Sequence, residues 1–262
     1  MIISSSSNDK IKEVRKLIKS SKEREERDLY VVEGIRMFRE IPKEDIVDVF
    51  LSETMYQELK DDVRGIYPNI VSDKIFSGIS DTNTPQGVLA LVKRKHLDIE
   101  DLCKLQKEKN EKPFLLIIER LQDPGNMGTI IRSAEAAGVT GVIISSNSVD
   151  IYNPKTVRST MGSIFRVPWC VSEDLKSDIE KVKKMGIKLY GAHLNGESFY
   201  NKDFTEPCAF LIGNEGRGLS EEISLLSDEL IKIPMRGKVE SLNAACSATI
   251  IGYEVLRQRI IV

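Results

Sequence analysis

Three stretches in the C-terminal half of the chain set polar side chains among glycines. In ERLQDPGNMGTIIRSAEAAGV, residues 119–139, Asn126 supplies a neutral donor and acceptor, and Arg132 follows one to two helical turns later. Pro124, Gly125 and Gly128 suit a tight turn from strand into helix, which leaves free backbone N–H groups where a phosphate can sit. In FLIGNEGRGLSEE, residues 210–222, Gly213, Gly216 and Gly218 permit close backbone approach by a ligand, and Glu215 stands inside the turn. In IPMRGKVESLNAACSATIIGYEV, residues 233–255, a loop carrying Arg236, Gly237, Lys238 and Glu240 leads to Ser241 at the head of an Ala-rich helix.

Each stretch has a purely structural reading as well. Arg132 lies among the apolar Ile130, Ile131, Ala134 and Ala137 and could be a surface ion-pair partner; Ser220 and Ser241 could be helix N-caps. Ala244, Ala245 and Ala248 suit close helix packing, within the chain or against another subunit. The three stretches nevertheless share one construction, a strand end leading through a glycine-containing loop into a helix. Open α/β sheets bind their ligands at such places. The glycines do not follow the G-x-G-x-x-G order, which speaks against a dinucleotide cofactor and an oxidoreductase.

The elements around these loops follow from hydrophobic pattern. Apolar runs at 114–119, 141–145, 164–169, 187–192, 208–213 and 229–234 are expected strands. They alternate with expected helices at 127–137, 174–185, 221–226 and about 242–259, and a helix or turn near 154–161. Such alternation predicts an α/β fold whose mostly parallel sheet is covered on both faces. Further upstream, short β-rich runs at 30–34, 48–52, 69–73 and 87–94 form a smaller α/β unit. It opens with one amphipathic helix over 8–27, with Ile11, Val14, Leu17 and Ile18 on one side and Lys12, Arg15, Lys16, Lys19 and Lys22 on the other. That basic side is either a solvated surface or an RNA contact. The expected division is 1–95, a charged linker with a short helix at 96–112, and 113–262.

With 262 residues, 41% of them hydrophobic, the chain can fill two cores. Its 38 Lys and Arg against 40 Asp and Glu give no overall attraction to nucleic acid, so RNA binding would have to come from local patches. Four scattered cysteines without a CxxC pair, and two histidines, predict reduced thiols and no zinc or other metal site. No apolar run is long enough for a membrane span and no signal-like segment opens the chain, so a soluble, cytoplasmic protein is expected.

In order and type, NMGTIIRSAEAAG, LIGNEGRGLS and IPMRGKVESLNAACSA resemble the three motifs of the SpoU (TrmH) branch of the SPOUT RNA methyltransferases. The likeness covers residues 113–262, and YVVEGIRMFRE with SDTNTPQGVLALVKR resembles the substrate-binding domain that many members carry. The resemblance implies a Rossmann-like domain with a deep C-terminal trefoil knot, a homodimer, and S-adenosylmethionine as methyl donor to a ribose 2′-hydroxyl of RNA. It implies catalytic roles for Asn126, Arg132, Glu215, Ser241 and Asn243, and cofactor contacts at Gly213, Ile233 and Leu242. Glu215 would orient Asn126 or Arg132, while Arg158, Arg217 and Arg236 are weaker candidates for phosphate contacts. The RNA-holding N-terminal domain favours large-subunit ribosomal RNA over tRNA; a non-catalytic RNA-binding or ribosome-assembly protein is the alternative from another class.

Overall fold

The single basic helix expected over 8–27 is two helices in the computed structural model, which describes residues 2–63, 65–109 and 111–260. Ser20 separates α1 (Asp9–Lys19) from α2 (Ser21–Arg27). Its backbone is extended, φ −127° and ψ 120°, and its Oγ accepts the Glu23 N–H at 3.3 Å, so one serine ends the first helix and caps the second. Three of the five residues of the expected basic side are paired with acids: Lys12 with Asp9, Lys16 with Glu23, and Lys22 with Glu26. These pairs favour the solvated-surface reading of the helix.

The first of two units holds residues up to Lys95 together with Asp150–Phe165. Its sheet contains β1 (Ile2–Ile3), β2 (Leu29–Glu33), β3 (Ile46–Ser52), β4 (Asn69–Val71) and β5 (Val88–Lys93), in the order β1-β4-β3-β5-β2. β1, β4 and β3 run parallel, whereas β5 pairs antiparallel with β3 and β2. Helices α3 (Ile35–Glu40), α4 (Glu53–Glu58) and α5 (Asp73–Ser77) fill the connections. Ile11, Val14 and Leu17 of α1 close the core over Val31, Phe50 and Leu89.

The second unit runs from His96 to Val149 and again from Arg166 onward. The stretch expected as a linker contains α6 (Ile99–Lys109) and belongs to this unit, where Gln106 Nε2 donates to the Thr140 carbonyl at 2.6 Å. In chain order there follow β6 (Phe114–Ile118), α7 (Pro124–Ala136), β7 (Gly141–Ser145), α8 (Pro154–Ser159) and β8 (Trp169–Ser172). Then come α9 (Leu175–Lys184), β9 (Lys188–Ser198), β10 (Cys208–Ile212), α10 (Glu221–Ser224), β11 (Glu229–Lys232) and α11 (Ala244–Ile260). α8 lies in the segment that clusters with the first unit, although the sequence placed all of 113–262 together.

The second sheet has the order β11-β9-β10-β6-β7-β8, and every pair in it is parallel. Every residue of β6, β7 and β10 is buried, which is why FLLII, GVIIS and CAFLI read as continuous apolar runs without alternation. The strand expected at 164–169 is displaced. Residues Ser163–Phe165 form a 3-10 turn and pairing begins only at Trp169, because Pro168 has no N–H for the ladder and contributes its carbonyl to Val142 instead. α11 packs on α7 through small residues. A Cβ added to Gly252 would meet the Ala137 Cβ at 3.0 Å, and Thr249 Oγ1 donates to Ser133 Oγ at 2.8 Å. At the far end, Arg259 donates to the carbonyls of Lys112, Pro113, Phe204 and Glu206, fastening this helix to the starts of β6 and β10.

Candidate active site

β6 ends in a turn over residues 119–123. Arg120 there has φ +52°, a left-handed conformation that costs a non-glycine residue on the order of 1 kcal/mol. Asp123 caps α7 by accepting the Asn126 N–H at 2.8 Å, and Pro124 occupies the first turn, where its missing N–H is no loss. Gly125 and Gly128 therefore lie inside α7, not in the turn where the sequence placed them. Asn126 sits half-buried in the first helical turn.

The Glu215 carboxylate faces that turn and accepts four donors: the Gln122 N–H at 3.1 Å, the Asp123 N–H at 2.9 Å, Asn126 Nδ2 at 3.1 Å and Asn214 Nδ2 at 3.3 Å. Two are backbone groups at the start of α7, where an anion is favoured. Desolvation pushes the Glu215 pKa up, but these donors outweigh it and hold the carboxyl below its ordinary range. Because a carboxylate can only accept, Asn126 must turn Nδ2 towards it, leaving Oδ1 for Asn243 Nδ2 at 2.9 Å. Asn243 in turn accepts the N–H groups of Ala245 at 2.9 Å and Cys246 at 3.3 Å through its own Oδ1. The cap of α11 is thus Asn243; Ser241, the expected cap, is exposed and precedes the helix.

Two tethers escaped the sequence reading. Asn214 donates through Nδ2 to the Arg120 carbonyl at 2.8 Å and accepts the Gly216 and Arg217 N–H groups through Oδ1, both at 3.0 Å. Buried Glu119 accepts the Ser220 N–H at 2.8 Å, while Ser220 caps α10 as expected. Asparagine favours turns of this kind, but nothing local marks its long-range bond to residue 120. Together these contacts fold residues 213–220 back against the end of β6. At Gly213 the fold is so tight that a Cβ would stand 2.1 Å from the Gly218 carbonyl carbon.

Beside this hydrogen-bonded chain lies a cavity of about 350 Å³. Gly213, Glu215, Ile233, Ser241 and Leu242 all line it, with further apolar wall from Ile212, Leu219, Ile231 and Ile251. Arg132 is exposed on α7, and its guanidinium has no hydrogen-bond or ion-pair partner among the described residues. Arg217 and Arg236 are likewise exposed, with no ion-pair partner for either guanidinium among the described residues. Arg158 belongs to the first unit, where it is held by Asp81 at 2.8 Å and Glu33 at 3.9 Å. Sequence-distant strand ends of one parallel sheet thus converge on a mostly apolar, glycine-rimmed cavity with a polar relay at its side. That defines an α/β protein with a ligand site for a small, partly apolar molecule.

The SpoU rRNA Methylase family matches residues 113–253, and the MRM3-like substrate binding domain matches residues 8–90. The chain belongs to the SpoU rRNA methylase family. It is 34% identical over 255 residues to the 23S rRNA (guanosine(2553)-2′-O)-methyltransferase RlmP of Bacillus subtilis, covering 97% of this chain and 98% of that one. Among solved structures it resembles an AdoMet-bound rRNA methyltransferase from Sinorhizobium meliloti, with TM-score 0.85 and 26% identity over 98% of this chain and 97% of that one. It also resembles the SpoU methyltransferase AviRb of Streptomyces viridochromogenes in complex with AdoMet, with TM-score 0.84 and 29% identity over 97% and 98% of the two chains.

Proposed function

We propose that this protein transfers a methyl group from S-adenosylmethionine to a ribose 2′-hydroxyl of 23S ribosomal RNA. The observation that carries this reading is the Asn243–Asn126–Glu215 relay beside the cavity, in a chain matched over nearly its whole length by a 23S rRNA 2′-O-methyltransferase. The cavity fits the cofactor in character. Ile212, Leu219, Ile231, Ile233, Leu242 and Ile251 offer an apolar slot for an adenosine, and the bare Cα atoms of the 213–218 turn let backbone groups approach it closely. When bound, the cofactor supplies an electrophilic methyl on a sulfonium, so no metal is called for.

In this reading Gly213, Ile233 and Leu242 hold the cofactor. Arg132 grips the phosphate next to the target ribose and stabilises charge developing on the 2′-oxygen. It is not the base: a guanidinium keeps its proton far above neutral pH, so it acts as a fixed cation and not as a proton acceptor. Ser241 or an RNA phosphate oxygen accepts the proton. Glu215 orients Asn126, and Asn243 joins it to the start of α11. Residues 1–95 bind the RNA substrate, and 113–262 form the methyltransferase domain.

Two finer features belong to the same proposal. The segment after β11 passes through a preceding loop to make a trefoil knot, supported by the return of Asn243 to Asn126. Two copies pair through the region of α11, where Tyr253 is 49% and Ile260 69% exposed. Incubation of the protein with methyl-labelled S-adenosylmethionine and 23S rRNA, followed by mapping of 2′-O-methyl groups, tests the activity. Label in the RNA that resists alkaline cleavage at one nucleotide is the expected result, and transfer only to tRNA would replace the substrate assigned here.

A further inference from the structure

β9 and β11 run parallel with a break in register: Gly191 pairs with Leu230, and the next pair is Glu197 with Ile231. Residues 192–196 have no residue opposite them on β11 and leave the ladder as a bulge. The bulge rejoins the sheet at Gly196, where an added Cβ would stand 2.5 Å from backbone atoms of Ile231, so only glycine fits. Such a bulge re-aims side chains at the rim of a site. Here Ala192, His193, Leu194 and Asn195 all line the cavity described above.

Within the bulge the Asn195 N–H donates to His193 Nδ1 at 3.1 Å. An imidazole that accepts at Nδ1 carries its proton on Nε2 when neutral, so the ring is fixed as a donor at its other nitrogen. Nε2 has no partner among the described residues, and the side chain is half-buried. Nε2–H is thus a donor at the edge of the cavity that no described protein group engages, and a ligand can take it up.

We infer that His193 is a cofactor-contacting residue, its Nε2–H donating to an acceptor of bound S-adenosylmethionine. The acceptor is either a nitrogen or oxygen of the adenosine or the carboxylate of the amino-acid tail. Lys232, which also lines the cavity, is a cation available to that carboxylate. The inference rests on the cofactor reading above and adds a side chain that the three loop motifs do not contain.

Calorimetric titration with S-adenosylmethionine and with 5′-methylthioadenosine, which lacks the amino-acid tail, tests it. His193→Ala is expected to weaken S-adenosylmethionine binding about tenfold, and His193→Gln, whose amide still donates, to stay within about threefold of wild type. The same loss with methylthioadenosine assigns the acceptor to the adenosine; a loss confined to S-adenosylmethionine assigns it to the carboxylate. Unchanged affinity of His193→Ala for both ligands overturns the inference, whereas failure of the wild type to bind either one defeats the cofactor reading itself. If the alanine variant does not fold, imidazole nitrogen spectra of the wild type decide, since the chain has only two histidines, His96 and His193. Adding S-adenosylmethionine must shift the His193 signals; a titration that leaves them in place overturns the contact.

Discussion

Asn126 Oδ1 and Asn243 Nδ2 meet at 2.9 Å across 117 residues of chain, and the bond fixes which way the Asn126 amide faces. Its other end donates to Glu215, so the amide is a one-way connector between two loops. Asn126→Asp keeps the oxygen for Asn243 but replaces the donor with a second carboxylate facing Glu215. Loss of a donor to a charged group, with repulsion added, is worth about 1.5–3 kcal/mol or more, so methyl transfer should fall at least tenfold. Single-turnover transfer with saturating cofactor measures it; a rate within twofold of wild type would contradict the relay.

Arg132 separates function from stability. Because its guanidinium is exposed and unpaired among the described residues, Arg132→Lys should change folding stability by no more than about 0.5 kcal/mol. Transfer to RNA should nevertheless drop by more than tenfold, since lysine cannot make the two-pronged contact with a phosphate. Urea denaturation beside an activity assay checks both halves.

Gly213→Ala forces a methyl to within 2.1 Å of the Gly218 carbonyl carbon, and backbone cannot yield as a flexible side chain does. Destabilisation of about 1–3 kcal/mol or more is expected, with loss of cofactor binding because the displaced turn is also the cavity wall. Thermal denaturation with and without S-adenosylmethionine should show a lowered midpoint and little ligand-induced rise.

Asn214 acts through others. Asn214→Ala removes a donor to Arg120 and to Glu215 and an acceptor for two N–H groups, so the 213–220 turn loosens while Asn126 keeps its bonds to Glu215 and Asn243. The KM for S-adenosylmethionine should rise several-fold, with kcat at saturation much less affected. An equal fall in kcat at unchanged KM would place Asn214 in the chemistry itself.

Glu215 gives a pH signature. Its folded pKa is lowered, so in acid the unfolded chain binds more protons and stability rises with pH. The contribution is complete above the unfolded value of about 4.3 and is lost as pH falls through the folded value. The stability difference between wild type and Glu215→Gln should therefore shrink as the solution is acidified below about pH 4. A difference that grows in acid would mean the opposite shift.

Much of this site is visible in the sequence because its parts are local oddities: Glu215 inside a glycine turn, Asn126 after Asp-Pro, and buried strands written as unbroken apolar runs. What is hidden depends on pairings between distant residues. Asn243 rather than Ser241 caps α11 because its amide is held by Asn126, and no spacing rule foretells that choice. The bonds from Asn214 to residue 120 and from Glu119 to Ser220 are equally non-local. Other differences are local but were outweighed by pattern: Ser20 interrupts a run of helical spacing, and Pro168 cancels an apolar run that otherwise reads as a strand. The His193 bulge is hidden for a further reason, since register is a property of two strands together; the apolar run marks a strand only over 187–192, whereas β9 continues through the bulge to Ser198.

The place of β10 has a consequence for how the protein comes into being. It enters the sheet between β9 and β6, both of which precede it in the chain. On a growing chain those two strands must wait, unjoined, until residues near 208–212 have been made, and the relay waits longer still for residue 243. A prematurely released chain lacking its last twenty residues has neither Asn243 nor α11, and so cannot own a finished cavity. Affinity for S-adenosylmethionine is therefore a certificate of completed assembly: Ala244, Ser247 and Ile251 of the last helix are part of the cavity wall, and only a chain that has docked them can close it.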